Sequence, residues 1–311
     1  ALLLTVLMVL SLAACGSSQD PGGSDPADDA PKTIAEDTDA INLRFTPPEG
    51  YETVNRYIEK TADGTLVDKT LTYKFADGAE VLVGNTKGKQ ITDEIPQSYL
   101  DDAEIAEYAG KSFYIVTSGK TLMGIAQDGD VVYGIGWTFA EETDRAAFDA
   151  LMGSLSLTDN TGTAENGDEL FNIRYTPDAS LPLVKTTNSM TETPAGETVD
   201  KAITYYYGTD ADNLDYRITV KVFKNSTVEQ EKSSSYTEDT LELGGVAYTV
   251  LYENENSEKP FAYYTQQGGD VYLIRDLGVS DGWSVTRSEE SYAALETLMN
   301  TVSFVSAGED A

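Results

Sequence analysis

The sequence contains no histidine and a single cysteine, and its 21 lysines and arginines are outnumbered by 53 aspartates and glutamates. Without histidine there is no Ser-His-Asp or Cys-His nucleophile, no imidazole ligand for zinc, and no side chain that ordinarily shuttles protons near neutral pH. With only Cys15, no internal disulfide can form, so the fold must rest on its core. A formal net charge of −32 repels nucleic-acid phosphates and anionic lipid headgroups, which removes nucleic acid from the expected partners. That charge suits a soluble exterior, a cationic partner or loosely held divalent ions. Glycine-rich phosphate loops, cysteine clusters and Gly-x-Ser-x-Gly elbows are all missing. The chain is therefore expected not to be an enzyme and to need no cofactor. Acid pairs at Asp101-Asp102, Glu141-Glu142 and Glu289-Glu290 are what chance supplies in so acidic a sequence. A carboxylate-based hydrolase is the least favoured reading, because it needs two acids set across a cleft.

Long apolar runs are scarce as well, with one exception. Leu2 to Leu12 is interrupted only by Thr5 and Ser11, too short to span a bilayer but of the length of a signal-peptide core. No basic segment precedes it, so a few further residues are expected upstream. The run closes on Leu12-Ala13-Ala14-Cys15-Gly16. This resembles the bacterial lipoprotein signal, and the resemblance implies cleavage after Ala14 and a diacylglyceryl thioether on Cys15. Residues 1–14 are then a signal peptide, and the mature chain is held to the cell membrane, facing the exterior, through the Cys15 lipid. Two acyl chains suffice for stable anchoring where one is marginal. Residues 15–40, rich in Gly, Ser, Asp and Pro, bury too little to offset ordering and are expected to form a disordered tether.

Beyond the tether the chain is written twice. Ile41-Asn42-Leu43-Arg44-Phe45-Thr46-Pro47 is answered by Phe171-Asn172-Ile173-Arg174-Tyr175-Thr176-Pro177, and Val67-Asp68-Lys69 by Val199-Asp200-Lys201. Gly129-Asp130-Val131 recurs at Gly269-Asp270-Val271, and the stripe Phe148, Leu151, Met152 recurs at Leu295, Leu298, Met299. A period near 130 residues means tandem domains rather than a solenoid. The expected layout is domain 1 over 41–157, a linker over 158–170, domain 2 over 171–304 and a disordered tail over 305–311. Alternating β-formers around Asp77-Gly78 and Asp128-Gly129 predict antiparallel hairpins. The helical spacing of Phe148, Leu151, Met152 and Leu155, and of Tyr292, Leu295, Leu298, Met299 and Val302, predicts a closing helix in each copy, the second capped by Ser288. A shorter helix is expected within 96–103.

This order of elements, with Pro47-Pro48-Glu49-Gly50-Tyr51 at the opening and Gly110-Lys111-Ser112-Phe113 before the later strands, resembles the PsbP-like α/β/α sandwich. The resemblance implies an α+β class, two mainly antiparallel sheets each packed by a C-terminal helix, and no shared catalytic centre. The second copy departs from it at Thr176-Pro177-Asp178-Ala179.

Three local features remain as candidates for binding. Asp210 to Asp215 looks like a calcium loop, but Asp215 stands where the glycine belongs and Lys221 where the final acid belongs. A solvated acidic turn is the plainer reading, and weak calcium binding stays open. Lys87-Gly88-Lys89 is too small for a nucleic-acid patch. Nineteen tyrosines, with runs at Tyr205-Tyr206-Tyr207 and Tyr263-Tyr264, together with Trp137 and Trp283, offer faces for sugars or a protein partner. Consecutive residues of a strand face opposite ways, so such runs equally describe one ring in the core and one in solvent. The expectation is a non-catalytic, surface-displayed lipoprotein binding a protein or cell-envelope component. A carbohydrate or small-ligand module using the Tyr/Trp faces is the alternative.

Overall fold

A computed structural model describes residues 43–157, 173–177, 182–210, 213–280 and 285–304. The expected signal peptide (1–14), Cys15 and the expected tether, linker and tail all lie outside these residues. In chain order the strands are β1 (Leu43–Arg44), β2 (Thr53–Thr61), β3 (Leu66–Lys74), β4 (Glu80–Lys87), β5 (Glu104–Tyr108), β6 (Lys111–Ser118), β7 (Thr121–Asp128), β8 (Val131–Thr138), β9 (Ser156–Leu157) and β10 (Ile173–Arg174). They continue with β11 (Leu183–Glu192), β12 (Thr198–Asp210), β13 (Asn213–Phe223), β14 (Thr237–Leu243), β15 (Val246–Tyr252), β16 (Ala262–Gln267), β17 (Asp270–Asp276), β18 (Val279–Ser280), β19 (Val285–Thr286) and β20 (Ser303–Phe304). Five helices are described: α1 (Ile91–Glu94), α2 (Gln97–Asp101), α3 (Arg145–Gly153), α4 (Val228–Glu231) and α5 (Glu289–Met299). The chain divides into two compact units, Ala1–Glu52 with Val67–Glu165, and Thr53–Leu66 with Asn166–Ala311.

In the first unit the strand order is β3-β4-β8-β7-β6-β5, antiparallel throughout. The β3–β4 hairpin turns where the sequence predicts, with Gly78 at φ 86° and the Asp77 carboxylate accepting the Ala79 N–H at 2.9 Å. Alternation sends Tyr73, Val81, Val83, Ile135 and Phe113 to one face of the sheet, all of them buried. Helix α3 buries its Phe148, Leu151 and Met152 stripe, and its first turn is capped by the Asp144 carboxylate, which accepts the Ala147 N–H. On the opposite face Val116, Met123, Ile125 and Val132 pack with Ile95 and Leu100 from the α1–α2 segment.

The second unit orders its strands β14-β15-β16-β17-β13-β12-β11-β2, again antiparallel. Helix α5, capped by Ser288, lays Ala294, Leu295, Leu298 and Met299 onto Ile203, Tyr207, Tyr216, Ile218 and Val220. Its outermost strand beyond β11 is β2, which belongs to the first repeat by sequence. The repeat offset is 132 here (199 − 67), so Tyr57 answers Ser189, and these two residues pair directly in the ladder. Two equivalent strands thus run antiparallel about equivalent positions.

The α+β class, with its PsbP-like sandwich, is overturned by these elements: the protein is mainly antiparallel β. Helical periodicity is sustained only in α3 and α5, of 9 and 11 residues, and the other described helices have four or five. Strands reach 13 residues and make up the sheets on which those helices lie as single elements. One helix covers a stripe of a sheet and does not amount to a helical layer.

Candidate functional site

Over β11, β12 and β13 the sheet of the second unit has one face filled by α5 and one that carries no helix among the described residues. The strand period decides which side chains stand on each. Tyr205 and Tyr207 point to the α5 side, where Tyr207 stacks on Tyr216 at 4.7 Å and the Tyr205 and Tyr175 hydroxyls lie 3.1 Å apart. Tyr206 stands on the open side.

Register then assembles three rows across that open face. In the first, Lys185 pairs with Tyr206 and Tyr206 with Arg217, so two cations flank one ring on adjacent strands. Lys185 Nζ lies 4.9 Å from the Tyr206 ring centroid and 3.0 Å from Glu59 Oε2. Arg217 Nε donates to the Gly278 carbonyl at 2.8 Å. The second row is Thr187, Thr204 and Thr219, all buried between longer neighbours, with the Thr204 hydroxyl donating to that of Thr219 at 3.0 Å. The third is Ser189, Ala202 and Lys221, where Lys221 reaches Asp200 at 3.2 Å and sits 4.4 Å over the Phe223 ring. Short Thr, Ser and Ala side chains make a floor, and Lys185, Tyr206, Arg217 and Lys221 stand above it. Around this face Lys185, Arg217 and Lys221 stand against Glu59 of β2, Asp200 and Asp215, a local balance in a chain that is −32.

The first repeat does not reproduce this surface. In its own hairpin Thr72 pairs with Leu82 and Lys74 with Glu80, where the second has Thr204 with Thr219 and Tyr206 with Arg217. The hydroxyl row and the cation–ring–cation row belong to the second copy.

A second polar cluster is buried under the first turn of α5. Asp276 is fully buried, and its Oδ1 accepts the Gly278 N–H at 2.7 Å while Oδ2 lies 3.9 Å from Arg287 Nε. Burial pushes this carboxyl above its ordinary value, against the pull of the Gly278 hydrogen bond, the nearby Ser291 hydroxyl and the Arg287 and Arg217 charges. Arg287 is spoken for on every side: it hydrogen-bonds Glu253 and the Asp276 carbonyl, and lies 4.2 Å over the Phe261 ring. The cluster ties the turn at Gly278 to the start of α5.

The other sequence candidates separate. Tyr263 and Tyr264 are both buried, one on each side of the sheet, so neither offers a ring to solvent, and burial pushes the Tyr263 hydroxyl up to about 12. Trp137 lies parallel to Phe139 at 5.0 Å and to Phe75 at 6.3 Å, its stacking already met within the chain, and Trp283 lies outside the described residues. The Asp210 carboxylate accepts the N–H and the side-chain amide of Asn213, closing the β12–β13 turn, while Asp212 lies outside the described residues. No group of three potential metal ligands gathers among the described residues. Asp101 and Asp102 end α2 in solvent, Glu141 and Glu142 are exposed ahead of α3, and Glu289 in the first turn of α5 pairs with Lys259 at 2.6 Å. Lys87 and Lys89 are exposed after β4. No two of these acid pairs share a site. What sequence reasoning missed is the basic contribution of Lys185, Arg217 and Lys221. The alternation Arg217-x-Thr219-x-Lys221 held the signal for one polar strand face.

No family model matches the chain, and no curated protein matches its sequence. Among solved structures, "Crystal structure of MucB in complex with MucA(peri)" is similar at 11% identity and a TM-score of 0.19, covering 82% of this chain and 93% of that one. "Crystal structure of MucB" is similar at 11% identity and a TM-score of 0.18, covering 81% and 92%. Likeness at this level lies below that of a shared fold and bears on neither architecture nor function.

Proposed function

We propose that this chain is an exported, lipid-anchored and non-catalytic binding protein, displayed outside the cell, whose ligand is a protein or cell-envelope component. The anchor reading rests on Leu12-Ala13-Ala14-Cys15 at the end of the apolar run. The binding reading rests on one observation above the rest: an open sheet face on which Lys185, Tyr206 and Arg217 stand over a hydroxyl floor, in a chain otherwise dominated by acids. Antiparallel sheets often leave a polar face to water. Solvation alone asks for no gathering of bases on one face of so acidic a chain, and an anionic or polar partner accounts for it.

The anchor is tested by labelling cells with radioactive palmitate. The native chain is expected to incorporate label and Cys15→Ser to incorporate none, with the precursor accumulating under globomycin. Equal labelling of the two chains would remove the anchor. For the binding surface, immobilised full chain is exposed to separated envelope protein and glycan fractions. Retention of one fraction, lost in the Lys185→Glu/Arg217→Glu double variant, is the expected outcome. Retention unchanged in that variant would place binding elsewhere.

A further inference from the structure

The open face of the second unit also constrains what kind of ligand it takes, if the reading above is right. Adjacent strands lie about 4.8 Å apart, so Lys185 and Arg217, two strands apart, are separated by roughly 10 Å at the backbone, about the span of one sugar ring with its substituents. Arg217 has five donors; Nε is held by the Gly278 carbonyl and its charge also acts on the buried Asp276, while its terminal amino groups make no hydrogen bond among the described residues and can take a carboxylate. Lys185 holds Glu59 and the Tyr206 ring, an arrangement in which an incoming carboxylate competes with a partly exposed side-chain pair. Beside them the Thr187, Thr204 and Thr219 side chains are short and buried, Thr204 donating to Thr219 and Thr219 to the Ile203 carbonyl, so a ring can come close to the sheet.

The long-range field limits the ligand's charge. A chain of −32 repels a densely charged polyanion before any local contact forms. The local cations favour a single negative group. Only a ligand whose charge is sparse satisfies both conditions.

We infer that the Lys185–Tyr206–Arg217 row forms a binding site for an acidic sugar at the end of an otherwise neutral glycan. The carboxylate is held by the Arg217 fork and the sugar ring lies against Tyr206, with Lys185 on its far side. The inference depends on this face being the binding surface, and it names the ligand's class.

The test is isothermal calorimetry on the full chain with sialyllactose, cellobiouronic acid, lactose and sodium acetate. At least one acidic sugar is expected to bind, with lactose and acetate each about tenfold weaker or silent, since the site needs charge and ring together. Tyr206→Ala and Arg217→Gln are each expected to weaken the acidic sugar about tenfold. Arg217→Lys, which keeps the charge and loses the fork, is expected to fall between native and Arg217→Gln, and it keeps the test valid if Arg217→Gln folds poorly. Lys74→Ala, at the position in the first repeat that answers Tyr206, is expected to leave binding unchanged. No heat with either acidic sugar, equal heat with lactose, or variants that bind like the native chain would overturn the inference. Should it be overturned while the double variant above still loses an envelope protein fraction, the binding surface stands and its ligand is a protein.

Discussion

Gly84 stands in β4 at a place where a single methyl group decides the fit. A Cβ there would meet Thr70 Oγ1 at 2.7 Å and the Lys69 carbonyl oxygen at 2.8 Å, and the second of these is backbone of the neighbouring strand. Gly124 is as tightly enclosed, but its Cβ would meet Met152 Cε at 2.7 Å, the free end of a flexible side chain. Gly84→Ala is therefore expected to cost about 2–3 kcal/mol as a strand is forced aside, and Gly124→Ala about 1 kcal/mol or less as Met152 rotates. Urea unfolding of the two variants compares them directly, and equal costs would refute the packing argument. Asp276 makes a residue-scale prediction of a different kind. Burial raises its carboxyl above 3.8, so just above that pH the folded chain keeps a proton that the unfolded chain has released. Stability from this group is present below the unfolded value and is lost as pH rises through the raised folded value. The stability advantage of the native chain over Asp276→Asn, which cannot titrate, is expected to shrink as pH rises above the ordinary carboxyl value of 3.8. An advantage that grows over that range would mean that Arg287 and Arg217 outweigh burial.

At the scale of elements, local signals were legible and register was not. The stripes at Phe148–Leu151–Met152 and Leu295–Leu298–Met299 became α3 and α5 because a 3.6-residue period is written within one segment. Ser288 was readable as a cap for the same reason, and Asp77-Gly78 as a turn. Two kinds of fact had no local trace. The pairing of β2 with β11 joins residues far apart in sequence, and neither strand's composition names its partner. Tyr263 and Tyr264 follow the alternation rule, but the rule says only that they face opposite ways; that both faces are covered depends on α5 on one side and on residues such as Phe261 and Val228 on the other. The Lys185–Tyr206–Arg217 row sits between these cases. Alternation put Tyr206 on the face opposite Tyr205 and Tyr207, whereas its two cations arrive from other strands through a register that a one-residue slip would destroy. The α+β class implied by the PsbP-like resemblance fails at this scale too, since α3 and α5 are single helices and most of the other described elements are strands.

For the whole molecule the governing quantity is the excess of 53 acidic over 21 basic side chains. Surface pairs such as Arg145 with Glu104, at 2.8 Å, contribute little each and weaken in salt, whereas repulsion among the excess acids opposes the compact state and weakens in salt too. The sign of the salt response shows which is larger. Repulsion should win, because unpaired acids far outnumber the described ion pairs. Raising sodium chloride from about 0.01 M to about 1 M shortens the screening length from about 30 Å to about 3 Å and is expected to raise the melting temperature by several degrees. A fall would mean that the ion pairs dominate. Calcium chloride at matched ionic strength separates screening from binding. A calcium effect equal to that of sodium leaves the turn at Asp210 an ordinary hairpin, closed by Asn213. A larger effect that Asp210→Asn removes would make that turn a weak calcium site, with the acidity of the chain serving to concentrate the ion around it.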